Sequence, residues 1–339
     1  MRIVFRLDAT KKIGIGHMMR CMALAEELIR RKEKCYFFSM ITSNELINQL
    51  KKRKIIVEKI NEINTFKEEM KNLLIFCKKK KIDWVVTDHY KINSEYTKAI
   101  KNGEFKLLSI DDIAQTFYYS DIVVNQNINA NNLEIEGTEH TKFLLGTKYA
   151  MIRDELLKRE MKKYNDPVRK ILITLGGTDK DNLTLKIIKN IEEINGEAEL
   201  IVISGPYNPH YNELKKFADN ASKKIDIISS PQSMLDIYLE SDIAISAGGT
   251  SCYELAYFGI PNIIIAIADN QLNIAKEFDK KNVSIYLGGK EDFSSNKIKE
   301  NVLKLVNDNL LRKKMAENGR SLVDGKGKKR IVDVIERYT

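Results

Sequence analysis

The stretch Ile3-Val4-Phe5-Arg6-Leu7-Asp8, then Ile13-Gly14-Ile15-Gly16-His17, then Met18, Cys21, Met22, Ala25, Leu28 and Ile29 decides how the chain folds. The first run is rich in β-forming residues, and the last set recurs at helical spacing. Glycines between them allow a tight strand-to-helix turn, so this is the opening of a βαβ unit. The same rhythm continues outward, with strand-like runs at Ile3 to Leu7, Cys35 to Ser39, Trp84 to Thr87 and Lys106 to Ile110, and helical periods between them. It starts again after Pro167, at Lys170 to Leu175, Glu199 to Ser204, Ile225 to Ile228, Ile243 to Ser246 and Asn262 to Ile267.

Two Rossmann-like, doubly wound α/β domains facing one cleft follow from that repetition. The polar stretch Lys163-Tyr164-Asn165-Asp166-Pro167 marks the boundary, with Asn165 and Asp166 as the linker, because a proline disfavours helix in the residue before it. The expected division is residues 1–164, 168–322 and a C-terminal helical extension, 323–339, whose charged character suits a surface cover.

The chain has 339 residues, 43% of them hydrophobic and 30% charged, which excludes a disordered or staple-dependent scaffold and suits a soluble globular protein of two domains. Its 56 Lys+Arg against 47 Asp+Glu leave a net charge of +9. That permits an anionic ligand, but the basic residues fall in short runs without interleaved stacking aromatics, so nucleic acid is not expected. The start, Met1 to Asp8, lacks the apolar core of an export signal, and the apolar run Ile263 to Ala268 is far shorter than the ~20 residues of a membrane span. Cys21, Cys35, Cys77 and Cys252 are scattered, without metal-ligand spacing, as in a reducing cytoplasm.

In open α/β sheets ligands bind beyond the carboxyl ends of the strands, so the residues there are the candidates. His17 stands where a helix begins, and the positive end of that helix favours an anion and disfavours an imidazolium. A neutral His17 can accept a proton; the plainer alternative is a histidine that caps its helix. Asp88-His89-Tyr90 and Asp111-Asp112 follow the next strands, where carboxylates orient a base or a sugar hydroxyl, or merely cap helices. In the second half, Gly176-Gly177-Thr178-Asp179 and Gly248-Gly249-Thr250-Ser251 are glycine-rich strand-to-helix turns, and the latter is the better diphosphate site. Glu254 could accept from both hydroxyls of a ribose, or complement its helix dipole. Ala268-Asp269-Asn270-Gln271 offers amides to phosphate or sugar. A dinucleotide fingerprint is not met, since Met19 replaces its third glycine and Ile41-Thr42-Ser43 supplies no carboxylate for a ribose. No Walker A loop is present.

These residues resemble the UDP-2,4-diacetamido-2,4,6-trideoxy-β-L-altropyranose hydrolases of pseudaminic acid biosynthesis and the related spore-coat polysaccharide proteins. The resemblance rests on Phe5 to Asp8 with Ile13 to Cys21, on Asp88-His89-Tyr90, Ile110-Asp111-Asp112 and Asn125-Gln126-Asn127. It continues through Leu175 to Asp179, Ala247-Gly248-Gly249-Thr250 to Glu254, and Ile267 to Gln271. It implies the glycosyltransferase B fold related to MurG, with a UDP-sugar as small-molecule substrate and neither cofactor nor metal. The implied reaction is hydrolysis, with water attacking the anomeric carbon and inversion there. His17 matches the family's base, and Tyr90 and Asn270 match positions that hold sugar and phosphate near it. The sugar-side candidates are therefore Asp8, Gly16, Asp88, Tyr90 and Asn270. The UDP-side candidates are Gly177, Gly248, Gly249, Thr250, Ser251, Glu254 and Gln271. Thr147 and Phe117-Tyr118-Tyr119-Ser120 depart from the family pattern away from these positions. The alternatives are a glycosyltransferase of the same fold, a hydrolase of another diacetamido sugar nucleotide, and a non-catalytic sugar-nucleotide-binding subunit.

Overall fold

The computed structural model describes residues 1–10, 13–60, 65–114, 116–157, 166–229, 231 and 233–338. Contacts divide the chain into two units, Met1–Asp154 with Lys326–Thr339, and Glu155–Gly325. The first unit holds β1 (Arg2–Ala9), β2 (Lys34–Ile41), β3 (Ile56–Lys59), β4 (Trp84–Asp88), β5 (Lys106–Ile110), β6 (Phe117–Tyr118), β7 (Ile122–Asn125), β8 (Glu136–Gly137) and β9 (Lys142–Leu145). Seven of these form a parallel sheet in the order β3-β2-β1-β4-β5-β7-β9, and β6 pairs with β8 separately. The second unit holds β10 (Lys170–Thr174), β11 (Glu199–Ser204), β12 (Ile225–Ser229), β13 (Ile243–Ala247), β14 (Asn262–Ala266) and β15 (Ser284–Gly289). They form a parallel sheet in the doubly wound order β12-β11-β10-β13-β14-β15.

Strand periodicity explains how β1 serves two cores. Ile3, Phe5 and Leu7 enter the core shared with Met18, Met22 and Leu28 of helix Gly16–Arg30. Val4 faces the other way, into the core with Phe76 and Ile100. Arg6 and Asp8 share the Val4 face because side chains alternate along a strand. Full burial of each large apolar side chain contributes roughly 1.5–3 kcal/mol, so the two faces anchor β1 centrally.

Each expected strand is present. Not among the runs read from the sequence are the edge strands β3, β9 and β15, whose apolar runs are no longer than three residues, the two-residue strands β6 and β8, and β7. The boundaries also differ from those read in the sequence at 164 and 322: the contact division falls at Asp154/Glu155 and Gly325/Lys326. Of the expected linker, Asn165 lies outside the described residues, as do Lys163 and Tyr164. Asp166 belongs with the second unit, where it pairs with Arg312 at 3.1 Å.

The C-terminal helix is more than a surface cover. In helix Gly327–Arg337, Ile331, Val332 and Ile335 are fully buried and join the core beside helix Gly16–Arg30. Their spacing forms one apolar stripe, which must be covered. Gly327 lies against the backbone of Tyr149 and Ala150, where a Cβ would collide. The four cysteines are free and buried. Among the described residues, no helix is long and apolar enough to cross a membrane, and no cluster of three or more His, Cys, Asp or Glu could hold a metal ion.

Candidate active site

In the first unit, β1 leads through Gly14, whose φ of +83° favours glycine, to the helix that Gly16 opens. Ile15 precedes that helix without a side-chain capping bond. His17 is 5% exposed and sits in the first turn. Rather than capping its helix, it places Nδ1 2.6 Å from Asp88 Oδ1, at the end of β4. Arg20, one turn further along, donates from Nε to Asp88 Oδ2 at 2.6 Å and from Nη2 to Oδ1 at 2.5 Å. Its Nη1 reaches Asp112 Oδ1 at 2.6 Å. Burial by itself raises the pKa of the Asp88 carboxyl, but the Arg20 guanidinium and His17 outweigh it and hold the group well below the usual carboxylate range.

An ionised Asp88 fixes the imidazole tautomer, with Nδ1–H donating to it. Arg20 Nη2 also lies 3.1 Å from Nδ1, but a guanidinium only donates and makes no bond to a protonated Nδ1; among the described residues no hydrogen bond of His17 involves Nε2, which is left to take a proton. Tyr90, 49% exposed, stands edge-on to the His17 ring with centroids 4.5 Å apart.

Asp88 and Asp8, expected on the sugar side, are both buried and bonded to protein groups. Asp88 is 1% exposed and also accepts from Cys21 Sγ at 3.3 Å. Asp8, 2% exposed, accepts from Arg6 Nη1 at 2.6 Å and from Met40 N at 2.9 Å, and meets His89 Nε2 at 3.0 Å. Burial opposes the Asp8 charge, but His89 and Arg6 overcome it and depress the carboxyl strongly. Both carboxylates are engaged and covered, which suits an orienting role more than contact with a sugar. Asp111 accepts from Tyr118, Asn125 and the amides of Ile113 and Ala114, so it ties its own loop.

In the second unit, Gly248 and Gly249 follow β13, and Thr250 precedes helix Ser251–Phe258 without a side-chain capping bond. Cys252 N and Tyr253 N donate to the carbonyls of Gly249 and Thr250, so the N–H groups that suit an anion are those of Gly249, Thr250 and Ser251. Gln271 closes this turn: its Oε1 accepts from Gly248 N at 3.1 Å and from Ile267 N at 3.0 Å. Its carbonyl end is thus used in shaping the loop, while Asn270 precedes it at the start of helix Asp269–Lys280. Glu254 is 9% exposed and accepts from Tyr238 Oη at 2.7 Å, which orients the carboxylate. Gly177 lies against Gly205 so closely that a Cβ there would strike it. Asp179 caps the next helix by accepting from Leu183 N and Thr184 N.

Sequence reasoning assigned no role to Arg20, His89, Arg6 or Tyr238. Arg20 was detectable, because it stands three positions after His17 on one helix face. Arg6 and Asp8 were detectable as alternate residues of one strand face. Nothing local pointed to Tyr238.

Residues 170–335 match the family described as the glycosyltransferase family 28 C-terminal domain. The chain is 23% identical to the spore coat polysaccharide biosynthesis protein SpsG of Bacillus subtilis, over 99% of this chain and 98% of that protein. It is 28% identical to the UDP-2,4-diacetamido-2,4,6-trideoxy-beta-L-altropyranose hydrolase of Campylobacter jejuni, over 64% of this chain and 74% of that one. It is 26% identical to MJ1062 of Methanocaldococcus jannaschii over 83% of its length, and spans 59% of that longer protein. Acinetobacter baumannii MurG shares the fold, with a TM-score of 0.70 at 16% identity over 99% of this chain and 100% of that one. The chain is thus similar to an altropyranose hydrolase and to a spore-coat protein, its residues 170–335 resemble a glycosyltransferase family 28 C-terminal domain, and its two-domain α/β fold is that of MurG.

Proposed function

We propose that this protein is an enzyme that hydrolyses a UDP-activated diacetamido-trideoxy-hexose, UDP-2,4-diacetamido-2,4,6-trideoxy-β-L-altropyranose, at its anomeric carbon. The observation that carries the reading is the hydrogen bond from His17 Nδ1 to the buried Asp88, which presents Nε2 as a base. His17 Nε2 takes a proton from water as its oxygen bonds to the anomeric carbon. The bond from that carbon to the phosphate oxygen breaks, its electron pair leaves with UDP, and the configuration inverts. Inversion asks for a base on the face opposite the leaving group, with room for one water.

The second unit holds the UDP. The N–H groups after Gly248 and Gly249, with Thr250 and Ser251, meet the growing charge on the diphosphate. Glu254 takes the ribose and Asn270 the phosphate, while Gly177 and Gln271 shape the loops around them. Tyr90 and Gly16 flank the sugar beside His17. Four free, buried thiols suit a reducing cytoplasm.

The test is turnover of that substrate in oxygen-18 water, followed by phosphorus NMR and sugar mass spectrometry. Free UDP with the label in the sugar is expected; label in phosphate would overturn C–O cleavage. A second reading, a glycosyltransferase with a UDP-sugar donor, is favoured by the family 28 match over residues 170–335. Turnover that requires an added acceptor selects it.

A further inference from the structure

The parallel register of β1 and β4 sets Leu7 beside Asp88. Neighbouring residues of paired strands share a face, so Asp88 points with Leu7 toward helix Gly16–Arg30, where His17 receives it. One residue on, the alternation turns the next pair to the other face, and there Asp8 Oδ2 and His89 Nε2 lie 3.0 Å apart. Tyr90 then returns to the His17 side and meets the ring edge-on. Asp88 and Tyr90 therefore both touch His17, and the residue between them is anchored away from it.

That anchor is built in series. Tyr96 Oη donates to Glu69 Oε1 at 2.9 Å, Arg6 Nε donates to the same oxygen at 2.7 Å, and Arg6 Nη1 holds Asp8 at 2.6 Å. The His89 side chain is only 7% exposed. Its Nδ1 accepts from Lys91 N at 2.9 Å, so Nε2 carries the proton and donates to Asp8. His89 and His17 thus have opposite tautomers, and with Nδ1 and Nε2 both engaged His89 has no nitrogen to serve as a base.

We propose that His89 and Asp8 form a clasp that holds the Asp88-His89-Tyr90 segment against His17, making both of them positioning residues for the base. The proposal rests on the reading of His17 as that base, but the clasp itself can be read without substrate. Removing the His89 donor leaves Asp8 bonded to Arg6 and Met40, so no buried charge is orphaned and the fold is expected to survive. What is lost is the fixed direction of the segment, and a displacement of about 1 Å at a catalytic group can cost on the order of 100-fold in rate.

The experiment uses the full chain labelled with nitrogen-15 histidine, whose long-range imidazole proton–nitrogen correlations separate the two tautomers. Wild type is expected to show His17 as Nδ1–H and His89 as Nε2–H. In His89→Phe, which keeps a ring but loses the donor, His17 is expected to show mixed tautomers. In His89→Gln, whose amide N–H can reach Asp8, the single Nδ1–H form is expected to return. Asp8→Asn, which weakens the acceptor without emptying its space, is the second variant and should move His17 in the same direction if His89→Phe fails to fold. An unchanged His17 spectrum in the folded variants overturns the clasp, whether or not the protein turns over any sugar nucleotide. If the wild type is active, His89→Phe should lower kcat about 10- to 100-fold with KM nearly constant and His89→Gln should recover most of it. Wild-type kcat in His89→Phe would also overturn the proposal.

Discussion

The Lys328 ammonium lies 2.6 Å from Asp154 Oδ1, joining the residue just before the chain leaves the first unit to the helix with which it returns. The Lys328 side chain is 2% exposed, and Glu26 Oε2 stands 3.7 Å from the same nitrogen. Glu26 also accepts from Asp154 N at 2.8 Å and pairs with Arg53 at 2.8 Å, so the departing and the returning chain meet at one acidic hub. Lys328→Ala removes a charged hydrogen bond and the buried aliphatic stem, and about 2 kcal/mol of stability is expected to go with them. Urea unfolding should show an earlier midpoint; an unchanged midpoint would mean that the apolar stripe of Ile331, Val332 and Ile335 holds the helix alone.

Asp88→Asn tests the base. An asparagine has nearly the same size but cannot hold the Nδ1–H tautomer as a carboxylate does, and in a histidine–aspartate pair such a change costs on the order of 10⁴-fold in kcat. A loss of at least 10³-fold is expected, with the Kd for UDP within twofold of wild type by calorimetry. A UDP affinity that falls in parallel with kcat would refute a role confined to the base.

Acid should weaken the first unit in particular. Both Asp8 and Asp88 have depressed carboxyl pKa values, despite burial that opposes ionisation. A depressed carboxyl binds its proton more readily in the unfolded chain, so its stabilisation is complete above the ordinary carboxylate range, near pH 4, and is lost as pH falls below it. Urea midpoints measured from pH 6 down to pH 3 should fall steeply in wild type and more shallowly in Asp88→Asn. Equal slopes would show that Asp88 is not a source of the acid sensitivity.

The proposed diphosphate turn is testable at Gly248, where a Cβ would stand 2.9 Å from Gln271 Cβ and 3.2 Å from the Gln271 backbone oxygen. Gly248→Ala must push Gln271 and its two backbone bonds aside, which spoils the aim of the N–H groups. UDP affinity is expected to drop at least tenfold, an effect of about 1.4 kcal/mol. The His17 imidazole correlations should not change. Undiminished UDP binding would move the diphosphate away from this turn.

Much of this was legible because it is local. Alternating apolar residues in β1 and the 3.6-residue spacing after Gly16 specify a strand and a helix through neighbours a few positions apart. The glycine turns at Gly176 and Gly248 could be read in the same way, as could His17 at a helix start. The edge strands β3 and β9 were not legible, since their apolar runs, Ile55 to Val57 and Phe143 to Leu145, are too short to mark a buried strand.

By itself, then, the sequence determined the parallel α/β class, the two repeated halves and the strand ends at which polar residues gather. Tertiary structure alone decided which of those residues meet. His17 and Asp88 stand 71 positions apart and come together only because β1 and β4 are paired in register. The same pairing set Asp8 beside His89, and in the second unit the fold brought the Gln271 side-chain carbonyl onto the Gly248 amide. Tertiary packing also decided that the last helix returns to the first core. Secondary structure follows from short-range sterics and periodicity, whereas a buried carboxylate takes whichever donor the sheet register brings within reach, and no spacing along the chain records that.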